Sequence, residues 1–268
     1  MTTTHAAPAA PAPARRTSGR PDPAAVPFHR LALVELRKQL DTRAGRWLLG
    51  VIVLLNAALI ALILLTGGPE QRTWQELTTA SSLAQLLLLP LIGIMAATSE
   101  WSQRTALTTF TLEPRRARVT AAKLGSAWVL GLAVMAAALF AGAVFNVIGM
   151  VWLDGDGSWA MEWAVLGGML LALLLLVTQG LAFGLALMST PVAIVTYLAL
   201  PTVWSLVTML VSGLEEPAKW LNLDFAMTAL MAGEMSGEHW AQLATSAALW
   251  IGIPLTIGVW RTARRDVS

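Results

Sequence analysis

Cysteine is absent from all 268 residues. That excludes disulfides, thiol catalysis and cysteine-held metal sites. Histidine is scarce: His5, His29 and His239 lie far apart, and none forms a His-x-x-x-His pair. Charge is scarce as well. Asp, Glu, Lys and Arg make up 13% of the chain, about half of the roughly 25% found in soluble domains. Hydrophobic residues reach 56%, and mean hydropathy is +0.64. These values define an integral membrane protein, and the length suits one transmembrane domain.

Six apolar runs are long enough for the ~20 residues that a membrane helix requires: 47–66, 77–98, 124–151, 163–188, 192–211 and 240–260. Trp47, Trp152, Trp163, Trp240 and Trp260 stand at run ends, where interfacial aromatics belong. Ser189, Thr190 and Pro191 separate the fourth run from the fifth, which predicts a tight turn with Pro191 starting the next helix. The fold class is therefore all-α, polytopic, with six transmembrane helices.

None of the six runs contains Asp, Glu, Lys, Arg or His. Proton relays and ion pathways rely on ionisable groups at membrane depth, so a proton- or ion-driven transporter is not expected. Intramembrane proteolysis is disfavoured on the same ground, and no catalytic or metal-binding residue is assigned. No G-x-x-x-x-G-K-[ST] phosphate loop exists either; the lysines are Lys38, Lys123 and Lys219. If transport is active, its energy must come from another chain.

Polar uncharged residues do occur in the runs. Asn56, Gln85, Asn146, Gln179, Ser205 and Thr208 are candidates to line a pathway. Such groups also serve as hydrogen-bonding glue between helices. Gly180 and Gly184 form a small-xxx-small pair suited to close packing. Pro90, Pro201 and Pro254 should kink their helices.

Sixteen of the eighteen Lys and Arg residues fall on one side of this pattern. Eight precede the first run, five lie between the second and third, and three follow the sixth. Cytoplasmic loops carry the excess of Lys and Arg, so both termini are predicted to be cytoplasmic. Residues 1–27 are rich in Ala and Pro and read as a disordered tail. With no apolar stretch before Trp47, a signal peptide is not expected there. Residues 28–46 read as an amphipathic helix, with Phe28, Leu31, Ala32, Leu36 and Leu40 on one arc and Arg30, Arg37, Lys38 and Asp41 opposite. Glu35 and Gln39 interrupt the apolar arc. The stretch is either an interfacial helix or a solvated basic segment. Between the fifth and sixth runs, Trp220, Leu221, Leu223, Phe225, Leu230 and Met231 predict one or two short helices. These would dip into the outer leaflet or form a small cap on the span ends.

The basic loop 100–123, EWSQRTALTTFTLEPRRARVTAAK, has a more ordered chemistry than lipid attraction requires. Ser99 can cap a helix, with Glu100 and Gln103 in its first turn. Glu113–Pro114 breaks that helix, and Arg115, Arg116 and Arg118 lead into the third run. Glu100, Thr105, Pro114, Arg116 and Lys123, together with Glu35, Arg37 and Lys38 before the first run, form a pattern that resembles the membrane subunits of ABC-2 type exporters. Many members of that family have Gly where this chain has Arg104. The resemblance covers about residues 28–260. It implies a permease in the cell membrane, paired with a second permease copy or homologue and with two ABC ATP-binding subunits. The ATPases would bind ATP and Mg; this chain binds no cofactor and no nucleic acid. Residues 28–46 would be the connector helix. Glu100, Arg104, Thr105, Pro114, Arg115, Arg116, Arg118 and Lys123 would couple to the ATPases. Two other readings stay open: a six-span substrate-binding subunit of an uptake system, and a membrane enzyme acting on lipid.

Overall fold

The computed structural model describes residues 26–264 except 212. Most of the expected N-terminal tail, and Arg265, therefore lie outside the described residues. Helices account for all the regular structure among those residues. In chain order, α1 is Phe28–Asp41, α2 Arg43–Thr66, α3 Trp74–Ser102, α4 Ala106–Leu112, α5 Arg116–Trp152 and α6 Trp163–Leu187. Then follow α7 Thr190–Leu210, α8 Glu215–Leu221, α9 Leu223–Met231 and α10 Gly237–Ala247. A π turn, Ala248–Gly252, joins α10 to α11, Ile253–Arg264. Six helical stretches are long and apolar enough to cross a membrane, one for each expected run.

The helix expected over 28–46 is in fact two. Thr42 is extended, and its hydroxyl accepts a bond from the Gly45 N–H at 3.1 Å, capping α2. Arg43 and Arg46 thus open the first span. A threonine hydroxyl satisfies an orphan donor at a helix start better than it serves a helix interior. The spans also run past their apolar limits: α3 continues to Ser102 and α5 begins at Arg116. Backbone hydrogen bonding propagates through polar residues that a hydropathy window leaves out.

Two helices form the centre. The most apolar stretches of α3 and α6 are 67% and 61% buried, against 17% for α2 and 11% for α7. The α3–α6 pair has the most extensive contact in the molecule. Gly180 and Gly184 make it possible, as their spacing predicts. A Cβ on Gly180 would overlap the Pro90 carbonyl oxygen and sit 2.7 Å from its carbon. One on Gly184 would come 2.7 Å from the Ala97 Cβ and 2.9 Å from the Ile94 oxygen.

The segment before the last span forms two short helices, α8 and α9. Leu223, Ala226, Met227 and Leu230 are buried on one face of α9, which packs on α6 and α10. At the α8–α9 corner, the Leu221 carbonyl accepts a 2.6 Å bond from the Trp250 indole. Trp250 lies about half-way along the 28-residue run Gly237–Arg264, so the corner packs beside the middle of that run. The π turn is next to Pro254. A proline ring would collide with the carbonyl four residues back, and here the Ile253 N–H bonds to Ala248, five residues back.

Candidate functional site

The basic helix ends gather at one end of the bundle. The Arg116 guanidinium donates to the Thr262 carbonyl and the Arg261 guanidinium to the Ala186 carbonyl. The Thr98 and Thr190 hydroxyls meet at 2.7 Å. At the centre of this end lies a four-membered ion cluster drawn from three helices.

Lys123 of α5 is its hub. Its Nζ donates to Glu100 Oε1 at 2.6 Å, to the Ala96 carbonyl at 2.8 Å and to Glu35 Oε2 at 2.9 Å. An ammonium has three protons, and each is matched by one of these acceptors. Lys38 closes the ring, 2.6 Å from Glu35 Oε1 and 3.4 Å from Glu100 Oε1. Glu35, Glu100 and Lys123 are buried, whereas Lys38 is half-exposed. Partial burial pulls the Lys38 pKa down, but the hydrogen bonds and charges of Glu35 and Glu100 outweigh it and hold that pKa above its ordinary value.

The cluster explains the interruption in the α1 pattern. Leu31, Glu35 and Gln39 are the buried residues of α1, and they face α5 rather than lipid. Leu31 packs with Val119 and Ala122. Gln39 donates to Ser126 Oγ at 2.7 Å. The arc expected to be apolar is therefore rotated: Phe28 and Leu40 are exposed.

The expected role of Ser99 as a helix cap is corrected. It lies in the last full turn of α3, and its hydroxyl bonds the Ala96 carbonyl at 3.0 Å and Glu100 Oε2 at 3.2 Å. In place of a cap, it steadies one acid of the cluster.

Beyond α3 the loop carries the short helix α4, held by several contacts. Thr105 stands at the N-cap of α4, and its N–H bonds the Glu100 carbonyl at 3.0 Å. Phe110 anchors α4, with Arg116 4.8 Å above its ring and Trp101 6.5 Å away. Glu113 is buried and holds Arg118 at 2.9 Å, while Arg118 also donates to the Val26 carbonyl at 2.7 Å. Pro114 and Arg115 are exposed at the break before α5. So Lys123, Arg116 and Arg118 are engaged within the chain, and Arg104 and Arg115 project outward. Arg37 is exposed on α1, outside the ion cluster. The sequence reading passed over Leu107 and Leu112, which are 58% and 74% exposed on α4. Their signal was available: a seven-residue helix cannot bury apolar residues on every side.

Arg104 has φ +57°, in the left-handed region. A side chain there costs about 1–2 kcal/mol that glycine avoids. Arg104→Gly is accordingly expected to leave stability unchanged or raise it by up to ~1 kcal/mol, allowing for the extra freedom of glycine in the unfolded chain. Thermal unfolding of the purified protein checks this; a clear loss would mean that the Arg104 side chain contributes contacts of its own.

A cavity of about 960 Å³ opens between α1, the end of α3 and α4. Arg30, Val34, Arg37, Met95, Thr108 and Leu112 contribute to its wall. The candidate pathway residues do not converge in the same way. Gln85 is fully buried, and both its amide atoms lack a hydrogen-bond partner among the described residues. Asn56 Oδ1 is likewise unpartnered. Asn146 donates to the Ser158 carbonyl at 3.2 Å, and Gln179 is buried on α6. Ser205 is exposed on α7, and its carbonyl accepts from the Thr208 hydroxyl at 2.9 Å. Thr208 also borders a cavity of about 340 Å³ with Lys219 and Asn222. No family model, no curated protein and no solved structure matches this chain.

Proposed function

We propose that this chain is the membrane-spanning permease subunit of an ATP-driven exporter of the ABC-2 type. In this reading it moves an amphiphilic or apolar substrate outward. Both termini and the ion cluster face the cytoplasm. A second permease copy or homologue completes the pathway, and separate ATPases bind ATP and Mg.

One observation carries the reading. The helix before the first span is locked by Glu35 and Lys38 to the base of the α4 protrusion through Glu100 and Lys123. That protrusion presents Leu107 to the outside, while Leu112 borders the cavity beside α1. A partner that pulls on α4 therefore moves α1, α3 and α5 together. The buried acids and Lys123 would act as positioning residues, and the contact itself would be made by the exposed side of α4 and by Arg115. Exposed apolar side chains beside a charged rim suit a protein partner. The uncharged spans fit a substrate without ions, and the missing phosphate loop requires an external motor.

Co-expression with candidate ABC-type ATPases, followed by co-purification, tests the proposal. Leu107→Asp is expected to lower ATPase retention at least about tenfold, because fully burying a Leu side chain is worth about 1.5–3 kcal/mol. Retention unchanged in that variant overturns the assigned contact. Turnover of a lipid by the chain alone, without ATP, overturns the exporter reading itself.

A further inference from the structure

The cavity beside the ion cluster has two chemically different walls. One is cationic and hydroxylated. Arg30 and Arg37, seven residues apart, lie on one exposed face of α1, and Ser102, Thr105 and Thr108 face the same space. The other wall is apolar, with Leu31, Val34, Met95 and Leu112. Ala44 near the start of α2 and Thr190 at the start of α7 also line the cavity. Those two helices have the least buried spans of the bundle, and both pack on α3. An occupant thus meets positive charge at the end of the bundle and hydrocarbon between α2 and α7.

The charges do not cancel. Three carboxylates border the cavity: Glu35, Asp41 and Glu113. Glu35 is engaged by Lys38 and Lys123, and Glu113 by Arg118. Among the described residues, Asp41 is then the one remaining acid facing Arg30 and Arg37. Neither arginine forms an ion pair among the described residues. Residues before Val26, which also borders the cavity, carry Arg15, Arg16 and Arg20 against Asp22. That segment has the same sign as the rim and is not its complement.

We propose that this cavity holds one anionic phospholipid of the cytoplasmic leaflet. Its phosphate sits against Arg30 and Arg37, and its acyl chains leave between α2 and α7. A zwitterionic lipid brings its own cation with its phosphate and would leave the positive charge of the rim uncompensated. A soluble phosphate would leave the apolar wall uncovered. The lipid would fill the space between α1 and α4. The inference needs only a membrane-embedded chain, so failure to bind an ATPase leaves it standing.

Native mass spectrometry of the purified protein titrated with phosphatidylglycerol or phosphatidylcholine tests it. One phosphatidylglycerol should be retained more tightly than the rest, and phosphatidylcholine should not replace it. Arg30→Gln with Arg37→Gln should weaken that one site about 25-fold, five-fold for each basic side chain near an anionic headgroup. Arg43→Gln with Arg46→Gln removes two exposed charges that do not border the cavity and should leave the site unchanged. Equal losses in the two double variants would reduce the effect to general surface attraction and overturn the proposal. So would equal retention of phosphatidylcholine, or displacement by glycerol phosphate at concentrations matching the lipid. A dimer that dissociates in the Arg30/Arg37 variant with no change in bound lipid would assign the cavity to a second copy instead.

Discussion

Lys123→Met is expected to destabilise the purified protein by about 3–5 kcal/mol, the usual cost of removing one partner from a buried ion pair. Methionine keeps most of the side-chain volume, so the loss isolates the charge. Without the ammonium, Glu35 and Glu100 remain buried and face each other, with the half-exposed Lys38 as their only nearby cation. The Ala96 carbonyl also loses one donor and keeps the Ser99 hydroxyl. Adding Glu35→Gln and Glu100→Gln to Lys123→Met should recover most of the loss, since amides do not repel one another. Thermal unfolding in detergent, followed by tryptophan fluorescence, compares the two variants. If the triple variant is as unstable as the single one, packing around the Lys123 stem dominates rather than charge.

Gly180→Val is the second large effect. A Cβ on Gly180 would overlap the Pro90 carbonyl oxygen, and the atoms it meets are backbone on a rigid helix. Side chains can rotate away from an intruder, but a helix backbone must translate. The α3–α6 contact would therefore open along its length. Overpacking in cores typically costs 1–3 kcal/mol and sometimes more; the upper end or beyond is expected here. Gly167→Val supplies the control on the same helix, because nothing lies within 4 Å of a Cβ there. It should be neutral or stabilising, as glycine is a poor helix former. Equal behaviour of the two variants would mean that α3 and α6 do not meet at Gly180.

Much of the site was legible in the sequence as a set of residues, but not as an arrangement. Glu35, Lys38, Glu100 and Lys123 were all singled out, the first two in a connector helix and the others in a loop. Nothing in their spacing says that Lys123 is shared by Glu35 and Glu100. Gln39 and Glu35 looked like faults in an amphipathic pattern. They are instead the face by which α1 docks on α5, because a buried polar residue is stable once its partner is supplied from elsewhere. Ser99 was read as a helix start because helix caps and last-turn serines have the same composition, and only the continuing backbone bonds of α3 separate the two cases. Leu107 and Leu112 went unremarked because an exposed leucine is recognisable only after the rest of the helix has been placed.

The sequence alone determined the six spans, the tight turn near Pro191, the break at Pro114 and the gathering of basic residues on alternate connections. Each of these is local. A run of apolar residues has a length, a proline removes a donor, and a charge cannot enter hydrocarbon cheaply, whatever the rest of the chain does. Only the tertiary structure decided that α3 and α6 are central, that the α8–α9 corner packs beside the middle of the last run and that four charges close into one cluster. The reason is physical. Lipid tails are as apolar as a packed interior, so a span facing lipid and a span buried among helices carry the same hydropathy. Which face meets which neighbour is then settled by glycine contacts and by polar pairs such as Lys123 and Glu35, and those exist only between residues far apart in the chain.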